Sequence, residues 1–197
     1  MRSALAILAL VAFTLPVPAQ GQASQQRPVT QPGSLPSQPA PSPRFWYAID
    51  NAAGGYSVDM PGKPVDRQMN FRTAAGKTFP VFLQEVNLDS GASYFGMIWR
   101  QLDVVPKDPG GIERELLSTR DATTQSLKGT LITTRPVKHG ALNGLDYVVQ
   151  AGPQGTRYRY RIFIAGNRMV QQAYSGVTGS ENSPDVRKFH ESFKLKP

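Results

Sequence analysis

Cysteine is absent from this 197-residue chain, and that single absence removes several functions at once. Thiol nucleophiles, thiolate metal sites, redox relays, disulfide frameworks and a cysteine-linked lipid anchor are all excluded. Histidine is scarce as well. His139 and His190 are the two present, without a second histidine at i+2 or i+4, so the clustered ligands of a metal site are missing. The 14 acidic residues are scattered. Glu113 and Glu115 form the closest helical pair, but i, i+2 positions do not share a helix face. The serine elbow of hydrolases is missing too, since Gly91-Ala92-Ser93-Tyr94-Phe95 lacks its final glycine. Neither glycine-rich phosphate loop occurs. The sequence therefore nominates no catalytic residue, no metal ligand and no cofactor.

Long apolar runs are also lacking. The longest, Ala4–Leu15, is interrupted only by Thr14 and falls well short of the ~20 residues that span a bilayer. Preceded by Met1-Arg2 and followed by small residues at Ala19, Gly21 and Ala23, it reads as a secretory signal peptide over residues 1–23. Cleavage after Ala19 and after Ala23 fit equally well, and an uncleaved anchor is the competing reading. The expected product is extracytoplasmic, periplasmic or secreted, without a transmembrane segment once the signal is removed. Residues 24–43 are rich in Pro, Gln and Ser and nearly devoid of large apolar side chains, the composition of a disordered linker. Proline stiffens such a tether, and its reach is roughly 60 Å at ~3.1 Å per residue.

At Phe45-Trp46-Tyr47 the composition changes, and residues 44–197 read as a single globular domain large enough for one real core. Strand texture recurs over Gly55–Met60, Val65–Thr73, Phe79–Leu88, Ser93–Leu102, Thr130–Val137 and Leu142–Gln150, with turn residues between. Pro106–Gly111 reads as a loop and Lys138-His139-Gly140 as a turn. Ile112–Lys128 has helical texture, with acids early, a lysine late and Gly129 as the stop. Its C-terminal half is thin in large apolar residues. Ser183-Pro184 supplies an N-cap and a first-turn proline for a second helix, whose Val186, Phe189 and Phe193 form one stripe. His190 on that helix reads as partly exposed.

The strongest pattern is Gly155–Tyr174, two strands around Ala165-Gly166-Asn167. Arg157, Arg159 and Arg161 alternate with Tyr158, Tyr160 and Ile162, so the arginines share one face and the tyrosines the other. Three guanidinium forks about 6.6 Å apart are a candidate binding site for carboxylates or phosphates. Cross-strand ion pairs, for example with Asp146, are the structural alternative. Strands, a helix, a run of antiparallel strands and a last helix make an α+β fold, mainly antiparallel sheet flanked by helices.

The Gly55–Pro64 segment (GYSVDMPGKP), the mid-chain helix, the Arg157–Gln172 hairpin and the closing Ser192-Phe193-Lys194-Leu195 occur in an order that resembles the PsbP-like group of exported domains. That group is related in fold to the extrinsic PsbP protein of photosystem II and to Mog-type Ran-binding proteins. The resemblance covers about 150 residues and rests on turn and core positions. It implies an α/β/α sandwich used for non-enzymatic binding or assembly, and brings no catalytic residue.

The formal net charge is +8 and the pI about 9.9; loss of Arg2 with the signal leaves about +7. Outside the cytoplasm nucleic acid is an unlikely partner, and an acidic protein or anionic envelope component is the expected one. Two functions are consistent with these features. The first is a non-catalytic interaction or assembly domain. The second is a carrier of a small apolar or amphipathic ligand between sheet and helix, with Phe45, Trp46, Tyr47, Phe79, Phe82, Tyr94, Phe95 and Trp99 as the aromatic supply. An enzyme of unidentified type is a distant third.

Overall fold

The computed structural model describes residues 44–72 and 76–196; the signal peptide and linker read from the sequence lie outside them. The chain runs β1 (Tyr47–Asn51), β2 (Tyr56–Met60), β3 (Val65–Arg72), β4 (Thr78–Leu88), β5 (Ser93–Gln101), α1 (Pro109–Ser126), β6 (Thr130–His139), β7 (Leu142–Ala151), β8 (Thr156–Ala165), β9 (Arg168–Gly176), α2 (Pro184–Ser192) and β10 (Lys194–Leu195). Seven strands form one antiparallel sheet in the order β3-β4-β5-β9-β8-β7-β6, and β1-β2-β10 form a second, small one.

Alternation along the strands sorts the core into two layers. One face of the large sheet carries Val81, Leu83, Ile98, Tyr147, Tyr160 and Ile162 and is met by Leu116 of α1. The other carries Phe95, Met97, Trp99, Phe163 and Val170 and is met by Val186 and Phe189 of α2 together with Tyr56, Val58 and Met60 of β2. The α+β expectation therefore holds in its coarser form, mostly antiparallel sheet with two helices. The finer sandwich picture fits in part: α1 covers one face, while α2, nine residues long, shares the other with a three-stranded sheet.

Three local readings also change. Helix α1 begins at Pro109, within the stretch read as a loop, because Asp108 accepts a hydrogen bond from Gly111 N–H at 2.8 Å and proline fits the first turn. Helix α2 stops at Ser192, and the next residues pair with Ser57 and Tyr56 instead of continuing it. His139 is the last residue of β6, not a turn residue. Its ring sits 5.7 Å from that of Phe163 and 5.4 Å from that of Phe193, and its Nε2 accepts the Leu195 N–H at 3.2 Å.

Register fixes the two ends of the molecule. One end gathers the start of β6, the end of β9, and Leu88 and Ser93, which close the β4–β5 hairpin. Arg44 is tied there through Asp89 at 2.8 Å. The opposite end gathers the β6–β7 and β8–β9 turns, the end of β5 and the loop into α1.

Candidate functional site

Arg157, Arg159 and Arg161 lie on the face of β8 that carries Phe163 and looks toward α2, while Tyr160 and Ile162 face α1. Asp146 of β7 stands directly opposite Arg161, and Arg135 of β6 opposite Asp146. The single carboxylate collects them. Arg159 grips both its oxygens, Nη2 to Oδ2 at 3.0 Å and Nε to Oδ1 at 3.3 Å. Arg161 meets Oδ2 through Nη2 at 2.9 Å and Nε at 3.1 Å, and Arg135 approaches to 3.5 Å. Asp146 is 2% exposed and Arg159 6%. Burial alone would push the Asp146 carboxyl up; hydrogen bonds and charge from Arg159, then Arg161, outweigh it and hold it below the usual carboxylate range.

The remaining guanidinium hydrogens turn inward to the chain. Arg159 Nη1 donates to Glu181 O at 2.9 Å and Asn182 Oδ1 at 3.2 Å. Arg161 Nη1 donates to His190 O at 3.4 Å, and Gln172 Nε2 to Phe189 O at 2.9 Å. These two carbonyls belong to the last turn of α2, where backbone partners run out; Phe189 O also accepts from Ser192 Oγ at 3.1 Å. Arg157 stands 3.9 Å from Glu181. Arg159 and Arg161 thus fasten residues 181–190 to the sheet, and an external acid would have to displace Asp146 to pair with them.

His190 is buried beneath this cluster at 3% exposure, not partly exposed as its sequence neighbours suggest. It falls at i+4 from Val186, on the buried stripe. Burial, then the charges of Arg161 and Arg159 with a smaller push from Arg135, hold its pKa well below the ordinary value; Asp146 opposes them. The sign of the pH effect follows. The unfolded chain takes up a proton near pH 6.5 and the folded chain does not, so stability falls as pH drops below that value, by about 1.4 kcal/mol per unit for one group. Urea midpoints at pH 7.5 and 5.5 should show this loss, and His190→Gln should flatten it. An unchanged slope in the variant would show that His190 takes its proton in the native state.

The open site lies on the other face. Helix α1 packs over β7 and β8, and edge strand β6 extends beyond it. Between them runs a groove of about 540 Å3. Its floor is aliphatic: Ile112, Leu116 and Leu117 from α1, Pro136 from β6 and Leu145 from β7. Gly144 also lines it, and a Cβ there would stand 2.4 Å from the Phe163 ring and 2.5 Å from Ile162 O, so no larger residue fits without displacing the strand. One end is closed by Arg120, whose Nη1 donates to Thr134 Oγ1 at 3.4 Å and whose charge is met by Asp121. The other end opens between Pro109 and Lys138. Glu113 is the acid among its walls. From Ile112 to Arg120 the trough is about 12 Å long at ~1.5 Å per residue.

Sequence reasoning missed this site because its walls come from separate segments. None of the eight aromatic residues nominated for a pocket lines it. Phe79, Phe95 and Trp99 are core residues, and Trp99 stacks on Phe82 at 4.3 Å. Among the described residues no helix is long and apolar enough to cross a membrane, and no three His, Asp or Glu side chains gather as a metal site would need.

No family model matches the chain, and no curated protein does. Solved structures do. A cyanobacterial PsbP (CyanoP) from Synechocystis is similar with a TM-score of 0.49 at 11% identity, over 81% of this chain and 97% of that one. LpqN, involved in cell envelope biogenesis of Mycobacterium tuberculosis, is similar at 0.40 and 10%, over 78% and 91%. A protein from Bacteroides thetaiotaomicron is similar at 0.38 and 16%, over 73% of this chain but 46% of its own length. PsbP-like proteins are thus among the solved structures this chain resembles, a likeness of fold that says nothing of role.

Proposed function

We propose that the chain is a non-catalytic exported binding domain whose ligand is a small amphipathic anion held in the groove between α1 and the β6–β7 hairpin. The observation that carries this reading is the pairing of an aliphatic floor with a cation, Lys138, at the open end. A buried apolar tail would gain about 25 cal/mol per Å2 on leaving water. The anionic head would meet Lys138, and the Arg120–Thr134 contact would stop the tail. In this reading the arginine row on the other face holds the fold, and the groove takes the ligand.

The test combines native mass spectrometry of the protein purified from its own host with displacement of a fluorescent fatty acid. The expected results are a reproducible small added mass and saturable binding of the probe. Ile112→Glu and Leu117→Glu, both half-buried in the groove wall, should weaken the probe at least tenfold, since each desolvates a charge against the tail. Lys138→Glu should weaken acids while sparing neutral alcohols of the same chain length. A bare protein mass together with probe binding unchanged in all three variants would remove the groove from consideration.

A further inference from the structure

The groove opens at one particular end of the domain, where exposed apolar and basic side chains meet. The loop joining β5 to α1 carries Val104 and Val105 side by side, 82% and 39% exposed. Its base is firm: Leu102 is buried, and its N–H donates to Asn167 O at 2.7 Å. The loop runs directly into Pro109, which forms the mouth of the groove. Among the described residues, neither valine belongs to either core cluster.

Cations surround them. The β3–β4 connection, the β6–β7 turn and this loop share the end of the sheet, and bring Arg72, Lys107 and Lys138 there, all exposed. Two acids of the loop are engaged within the chain, Asp103 with Lys77 at 2.7 Å and Asp108 with the first turn of α1. Apolar tips within a basic ring fit an interface where apolar side chains enter the acyl boundary while lysines meet anionic head groups.

We infer that this end docks on an anionic lipid surface, so that the groove exchanges its ligand directly with the bilayer. The inference rests on the groove being an amphipathic-anion site, and adds the source from which it fills. Docking places the mouth between Pro109 and Lys138 at head-group level, and an acyl chain passes from bilayer to groove without crossing water.

The experiment is vesicle co-sedimentation of the purified chain, with phosphatidylcholine alone and with phosphatidylcholine mixed with phosphatidylglycerol, alongside displacement of the soluble fluorescent fatty acid. The expected result is sedimentation with the anionic vesicles, weakened by added salt, and little with the neutral ones. Val104→Asp with Val105→Asp should lower anionic-vesicle binding roughly tenfold, and Lys107→Glu should lower it several-fold. Both variants should keep the affinity for the soluble probe. Vesicle binding that survives both variants overturns the docking surface. So does a wild-type chain that ignores vesicles while binding the probe, which would leave the groove reading standing and point to delivery by a protein. Failure of the wild-type chain to bind the probe ends the groove reading and this inference with it. If the aspartate variant does not fold, Val104→Ser with Val105→Ser gives the same comparison without a new charge.

Discussion

Replacing Asp146 by asparagine should destabilise the domain by about 3–5 kcal/mol, the range measured when one partner of a buried ion pair is removed. Two reasons place it there. Arg159 loses its bidentate acceptor in a site 6% exposed to solvent, and Arg161 and Arg135 are left beside it with no counter-charge between them. For a domain of this size the melting temperature should fall by roughly 10 °C. The triple variant Asp146→Leu, Arg159→Met, Arg161→Met should be milder than Asp146→Asn, because it removes the charges together with their desolvation cost. It should not reach wild-type stability, since Glu181 O, Asn182 Oδ1 and His190 O lose their donors. A loss below about 1 kcal/mol for Asp146→Asn would mean that the cluster behaves like a solvated surface pair.

Phe189→Ala should cost about 3–5 kcal/mol by another route. Helix α2 has nine residues, too few to persist in isolation, so packing must hold it in place. Phe189 is fully buried and meets Phe95 edge-on at 5.4 Å and 89°. Truncating it opens a cavity and loosens the carbonyls that Gln172 and Arg161 hold. Near-ultraviolet circular dichroism and urea unfolding would report the change. Probe binding per folded molecule should persist, because α2 and the groove lie on opposite faces of the sheet. Loss of both together would show that the two layers unfold as one unit before the sheet does.

Much of the fold could be read from local patterns. Alternation of arginine with tyrosine and isoleucine placed each side chain of β8 on its proper face, and opposition to Asp146 appeared among the alternatives. Ser183-Pro184 and the Val186, Phe189, Phe193 stripe marked α2. What escaped was either too short or non-local. Strand β1 is mostly exposed, with a weak alternation, and β10 has two residues; both exist because β2 lies between them. Asp108-Pro109 is a cap signal as good as Ser183-Pro184, but the neighbouring glycines hid it. His139 and His190 were placed by their neighbours in sequence, although strand alternation from Val137 and helical spacing from Val186 both point them inward. The groove depends on how far α1 reaches across the sheet.

Edge strand β6 raises a problem of self-association. Residues of β6 stand at the rim of the seven-stranded sheet, and a bare rim is a template on which another chain can add a strand. Its own composition answers the danger. Pro136 offers no N–H to an incoming backbone, and Arg135 and Lys138 repel a second copy of themselves. Pro136 is also part of the groove floor. The residue that lines the groove therefore also removes one donor from the rim on which a second chain would add a strand.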